Sequence, residues 1–199
     1  MSPRTEEANQ QIREEQRERI LEAAQKLFAH KGFTDTKMTD IAAAAKISYG
    51  LAYHYFANKE EIFTRLVEWA LKGSTDLLQY ALRQPGTPWD RLHWLVTEIL
   101  RGAQRKPEAF MVIVQAYTND TVPREAREIA RQQGEVSQAI LKQFIQEGQA
   151  AGQVVAGDPD QLVTAFSWCL TGLALDMSFL ERPASPLPNA DDVLRILKA

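Results

Sequence analysis

Tyr49, Gly50, Leu51, Tyr53, His54 and Tyr55 fall within one short stretch of this chain. At helical spacing, Tyr49, Gly50, Tyr53 and His54 share a face once Ala52 and Phe56 turn inward. Phenols and an imidazole offer hydrogen-bonding groups, and a glycine lets the backbone approach a surface closely. A short helix presenting them outward, with its N-terminus free, suits insertion into the major groove of double-stranded DNA. Lys59 follows in the first turn of the next helix, where its ammonium adds to the exposed amides and makes a candidate phosphate clamp. Plainer roles compete. Tyr53 and Tyr55 fit a core as aromatics, Tyr55 above all because it adjoins inward-facing Phe56, and Lys59 fits an ordinary solvated surface.

Other chemistry finds little support. His30, His54 and His93 have no metal-ligand spacing with one another or with Cys169. No glycine-rich phosphate loop follows a strand, and Cys169 lies in an apolar run as a small hydrophobe. No catalytic residue, metal or cofactor is expected. The net charge of −3 excludes a strongly basic coat, so any contact with DNA must come from a local patch. Residues 1–60 carry nine Lys or Arg against nine Asp or Glu, yet between His30 and Lys59 four lysines face two aspartates. Arg13, Arg17 and Arg19 fit either an adjacent phosphate or ion pairs with Glu14, Glu15 and Glu18. With one cysteine, no secretory signal and no apolar run long enough for a membrane span, the chain reads as cytoplasmic.

The elements that must position these residues are helices throughout. Apolar spacing predicts about nine helices and no strand, an all-α fold. Residues 1–15 read as a flexible polar arm, 16–60 as an N-terminal three-helix bundle with a helix-turn-helix, and 61–199 as a larger C-terminal helical domain suited to dimerisation. Gly32 is placed to end the first helix, with short helices near 38–45 and 48–56 following. Asn58 is a good N-cap for a long helix reaching about residue 83. Later helices are expected at 88–104, 107–117, 123–151, 159–180 and 191–199, four of them starting at or just after a proline.

Residues 32–63 carry the organising motif. Ala42 lies four positions before a sharp turn at Lys46 and Ile47, where two crossing helices need a small side chain. Ser48 is a strong N-cap, and Ile47 with Ala52 can form a hydrophobic staple. This segment resembles the helix-turn-helix of the tetracycline-repressor (TetR) family of bacterial regulators through MTDIAAAAKIS, YGLAYHYF and NKEEIF, over roughly residues 15–66. The resemblance implies that Tyr49, Gly50 and Leu51 touch base edges, and that Tyr53, His54, Tyr55 and Lys59 touch bases or phosphates. The chain departs from the family twice. Lys46 occupies the turn position where glycine is usual, and its charge could serve phosphate. Lys37 stands where Ser or Thr usually caps the second helix, so Thr36 is expected to cap one residue early.

The 159–180 helix is apolar on two adjacent faces and must be covered on both. Ala165, Trp168, Gly172, Leu175 and Phe179, joined by Val193, Leu194 and Leu197 of the last helix, form the expected dimer interface. Two reading helices about one DNA turn apart (~34 Å) would then read a palindromic operator. The resemblance implies a pocket in the middle helices for a small, hydrophobic effector of unknown identity. Trp69, Tyr80, His93, Trp94, Phe110, Val114, Tyr117, Phe144, Phe166 and Met177 are the candidate lining, and His93, Gln115 and Asp176 candidate polar groups to orient it. The same residues would equally make an ordinary helical core. The function these observations point to is a dimeric repressor released by that effector. Its rivals are a helix-turn-helix DNA binder without an inducer and a helical enzyme or carrier that shares the N-terminal motif.

Overall fold

A computed structural model describes residues 6–179 and 188–199. Nine α-helices follow one another among them: α1 Glu6–Asp35, α2 Met38–Ala44, α3 Tyr49–Tyr55, α4 Lys59–Leu82, α5 Pro88–Arg105, α6 Pro107–Thr118, α7 Arg124–Ala150, α8 Pro159–Phe179 and α9 Ala190–Leu194. A 3-10 turn at Arg195–Leu197 closes the chain. The all-α class expected from the spacing is what forms.

Local chemistry explains the boundaries. Gly32 leaves the helical path at φ 80°, ψ 167°, which an L side chain rarely adopts, and so breaks α1 just before Phe33. Thr87 caps α5 by accepting from the Asp90 N–H at 3.2 Å while Asp90 accepts from the Thr87 N–H at 2.9 Å, and Pro88 occupies the first helical position. Residues 6–15, expected to fray, continue α1. Gln10 and Gln11 each donate one turn ahead, to Glu14 and Glu15.

Two cores lie along two shared helices. The first gathers Ile20, Ala24 and Phe28 of α1 with Ile41, Ala52, Phe56, Phe63, Val67, Val112 and Ala126. Phe28, Phe33 and Phe63 meet there, the last two edge-on at 5.1 Å between centroids. The second gathers Leu78, Ala81, Leu92, Leu95, Phe144, Ile145 and Phe166. Helix α4 enters the first core at Ile62 and the second at Leu78, packing along α7 throughout. The head and the body therefore share structural members.

The last element departs from expectation. A long helix over 191–199 is replaced by one capped turn at Ala190–Leu194 and the 3-10 turn. Val155 N–H then donates to Leu197 C=O at 2.9 Å, and Lys198 bridges to Val154. Val193, Leu194 and Leu197 are at most 3% exposed and belong to the second core. Their assignment to a dimer interface is corrected accordingly: the apolar stripe is covered by the chain's own α5 and α8. Replacing Leu194 by Ala should cost about 2–5 kcal/mol in denaturant unfolding, the usual range for a buried leucine. The sedimentation of the folded protein should not change.

Candidate nucleic-acid interface

The turn between α2 and α3 is a Schellman arrangement. Ile47 N–H donates to Ala42 C=O at 3.0 Å and Lys46 N–H to Ala43 C=O at 3.1 Å. That geometry puts Lys46 at φ 56°, the left-handed region where glycine carries no steric penalty. Ala42 and Ala45, both nearly buried, let the helices cross closely. Ser48 caps α3 by accepting from Leu51 N–H at 3.2 Å.

Ala52 and Phe56 seat α3 in the first core, at 0% and 1% exposure. The opposite face carries Tyr49, Gly50, Leu51, Tyr53 and His54, all exposed. Tyr49 donates its hydroxyl to the Tyr53 hydroxyl at 3.2 Å, with the rings edge-on at 4.8 Å. Hydrogen bonding with Tyr49 holds the Tyr53 phenol above its ordinary pKa. Tyr55 is different. It is half-buried against the first core, its ring 5.4 Å from His54, as its plainer role anticipates.

Three cations hold this face in place by satisfying helix-end carbonyls. Arg19 Nη2 donates to Ala45 C=O at 2.9 Å, at the end of α2. Arg17 Nη1 donates to Tyr55 C=O at 3.3 Å, at the end of α3, and its guanidinium lies 4.6 Å over the Phe56 ring. Lys59 Nζ donates to Phe33, Thr34 and Thr36 C=O at 2.8, 3.1 and 2.9 Å, and sits over the Phe33 ring. Its three N–H groups are thus engaged internally, which overturns its assignment as a phosphate clamp.

Thr36 is also reassigned. It is fully buried and donates its hydroxyl to Gly32 C=O at 2.7 Å, so it caps nothing and faces no phosphate. The N-cap position of α2 is Lys37. Its backbone N–H donates to Asp40 Oδ2 at 3.2 Å, and Lys31 Nζ reaches the same oxygen at 2.9 Å. The Lys31 hydrogen bond, and then that from Lys37 N–H, hold the Asp40 carboxyl below its usual pKa. Lys37 and Lys46 remain exposed beside the α3 face, as does Thr39, which the sequence reading passed over.

Of the ten residues expected around an effector, the nine with described side chains do not converge. Phe144 and Phe166 are 1% exposed members of the second core. Trp69, Tyr80 and Tyr117 are more than half exposed. Trp69 lies under Lys106, Tyr80 meets Trp94 at a tilt with centroids 5.4 Å apart, and Tyr117 donates to Ala130 C=O at 2.7 Å. His93 pairs with Asp191 at 3.4 Å on the surface. Phe110 and Val114, one turn apart on α6, are half-buried and belong to neither core. The Met177 and Phe179 side chains lie outside the described ones. Of the α8 residues placed at a subunit interface, Ala165 and Gly172 are exposed, Leu175 is half-buried, and Trp168 is 74% exposed. An open groove of about 740 Å³ runs beside Trp168 between α7 and α8.

A short capped helix displayed on a helical head, with α4 leading into a larger helical body, defines a helix-turn-helix protein of two parts. Residues 20–66 match the family model for bacterial regulatory proteins of the tetR family. The likeness extends to the HTH-type transcriptional regulator AcrR of Shigella flexneri, 31% identical over 88 residues. That match spans 44% of this chain and 41% of AcrR, less than half of that relative. Among solved structures, the TetR family regulator PfmR of Thermus thermophilus is 26% identical with a TM-score of 0.73, covering 88% of this chain and 92% of that one. A transcriptional regulator of Saccharomonospora viridis, in complex with choline, shares the fold at a TM-score of 0.70 and 22% identity, covering 92% and 93% of the two chains. Residues 20–66 carry the likeness to regulators of the TetR family. The relatives are named as regulators, not enzymes.

Two substitutions separate the internal cation from the exposed one. Lys46→Gly should raise stability by about 1 kcal/mol by relieving the left-handed strain. Where Lys46 meets a phosphate, the same change should reduce the slope of log affinity against log salt by about 1 per subunit. Lys59→Met should lower the melting temperature and weaken DNA binding with no change in that slope; a reduced slope would restore it as a phosphate contact.

Proposed function

We propose that the protein is a homodimeric repressor that reads a palindromic operator with α3 of each subunit and is released by a small hydrophobic effector. The observation that carries the DNA reading is the outward ridge of Tyr49, Gly50, Leu51, Tyr53 and His54 on a capped helix, flanked by exposed Lys37 and Lys46. Ser48, at the open N-terminus of α3, and Tyr55, at its inner edge, complete the proposed contact set.

Pairing of subunits is supported by α8. Ala165, Trp168, Gly172 and Leu175 recur at helical spacing, and a tryptophan left three-quarters exposed beside a groove is the kind of surface a second copy covers. With α9 folded into its own subunit, the partner's cover falls to α8 and the adjoining face of α7, where Val136 is 43% exposed. The effector is assigned to the body. Phe110 and Val114 offer apolar surface outside both cores, and a structural relative is described with choline bound. Binding there would favour one arrangement of α6 and α4 over another and so act on the head.

Selection of duplexes from a random pool by the full-length protein should yield a sequence with dyad symmetry; recovery of no preferred sequence would defeat the reading. Tyr53→Ala should then cost about 1–3 kcal/mol of discrimination at matched salt. Trp168→Glu should shift the protein to a monomer in sedimentation and abolish dyad-dependent affinity, leaving non-specific binding. A panel of apolar and quaternary-ammonium compounds that shifts neither melting temperature nor operator affinity would favour a regulator without an inducer.

A further inference from the structure

Two side chains, Gln115 of the body and Lys59 at the start of α4, hold Phe33 from opposite sides. Where α1 breaks at Gly32, Phe33 swings out of helical register, and its N–H no longer points at the C=O four residues earlier. Gln115, on α6, fills that break. Its Oε1 accepts from Phe33 N–H at 3.1 Å, and its Nε2 donates to Phe28 C=O at 2.8 Å. One side-chain amide thus splints the two halves of α1 as a backbone peptide would. Phe33 C=O is held from the other side by Lys59, the first residue of α4, at 2.8 Å. A third link, Thr34 Oγ1 to Thr121 Oγ1 at 3.0 Å, ties the same turn to the loop after α6.

Five residues beyond Phe33 the chain enters α2 at Met38, and α2 sets α3 through the Lys46 turn. We propose that Gln115 is the positioning residue through which α6 sets the angle of the reading head. A displacement of α6 is delivered by its amide to Phe33 and from there to α2 and α3. Val114, adjacent in sequence, and Phe110 place the candidate effector surface on the same rigid helix, so α6 carries both ends of the relay. The inference rests on the proposed DNA reading and adds to it the part that transmits the signal.

The test uses the full-length protein, a duplex selected by the wild type and a scrambled duplex of equal length, at matched salt. Gln115→Leu removes both hydrogen bonds with little change of volume. Affinity for the selected duplex should fall about tenfold, within the usual range of inter-site coupling, while affinity for the scrambled duplex is unchanged. Amide hydrogen exchange at Phe33 should quicken. A merely structural loss would lower both affinities together through the unfolded fraction, and that result, or unchanged discrimination, overturns the proposal. Should Gln115→Leu fail to fold, Gln115→Met keeps the length of the side chain and is judged by the same two affinities. A wild type that selects no sequence defeats the DNA reading and this inference with it; a wild type that selects one while both variants discriminate normally defeats this inference alone.

Discussion

Helices of seven residues do not stand alone in water, and each leaves four carbonyls at its C-terminal end without intrahelical partners. Both α2 and α3 are of that length. What fixes them is the pairing of those carbonyls with cations brought from elsewhere in the head: Arg19 at the end of α2, Arg17 at the end of α3, and Lys59 across the turn that follows α1. A charged donor at a helix C-terminus satisfies an acceptor and complements the helix dipole at once. Ala52 and Phe56 decide which face of α3 is buried, and these contacts anchor the helix ends so that Tyr49 and Tyr53 stay outward.

The same economy explains why head and body behave as one piece. A three-helix head with its own isolated core would be free to swing on α4. Here α4 enters both cores, α6 lies against α1, and α7 contributes Ala126 and Ala130 to the first core and Phe144 to the second. Well-packed cores switch between discrete arrangements instead of deforming smoothly, so movement in the body must reach the head through members they share. The break at Gly32 is the one place where α1 gives up its own backbone bonding and borrows from the body.

What the sequence discloses is set by range. Ser48 and Asn58 as caps, the Ala42 crossing, the break at Gly32 and the proline starts of α5 and α6 depend on neighbours within a turn, and all were legible. Arg17, Arg19 and Lys59 bond across 23–38 residues, and Gln115 across 82 and 87, so no local pattern names their partners. Lys59 shows the cost most clearly, since a first-turn lysine suits phosphate on local grounds until three carbonyls are found around it. The stripe of Val193, Leu194 and Leu197 was readable as buried, but apolar spacing says only that a face is covered and not whose surface covers it. The aromatic residues of the middle helices failed as a pocket for a related reason, because their types fit a core, a surface stack or a ligand wall equally.

Reassigning the cations changes the electrostatics of the proposed operator contact. Of the four lysines between His30 and Lys59, Lys31 pairs with Asp40 and Lys59 is enclosed, leaving Lys37 and Lys46 to meet phosphate from that stretch. Counterion release scales with the number of phosphates neutralised, so each charge withdrawn from the surface shrinks the sequence-independent part of the affinity. An acidic chain with few free cations on its head then depends more on what its aromatic ridge contacts in the groove. That puts a premium on holding the ridge at one angle. It also accounts for placing Arg17, Arg19 and Lys59 at helix ends, where they fix geometry, instead of on the surface, where they would attract any DNA.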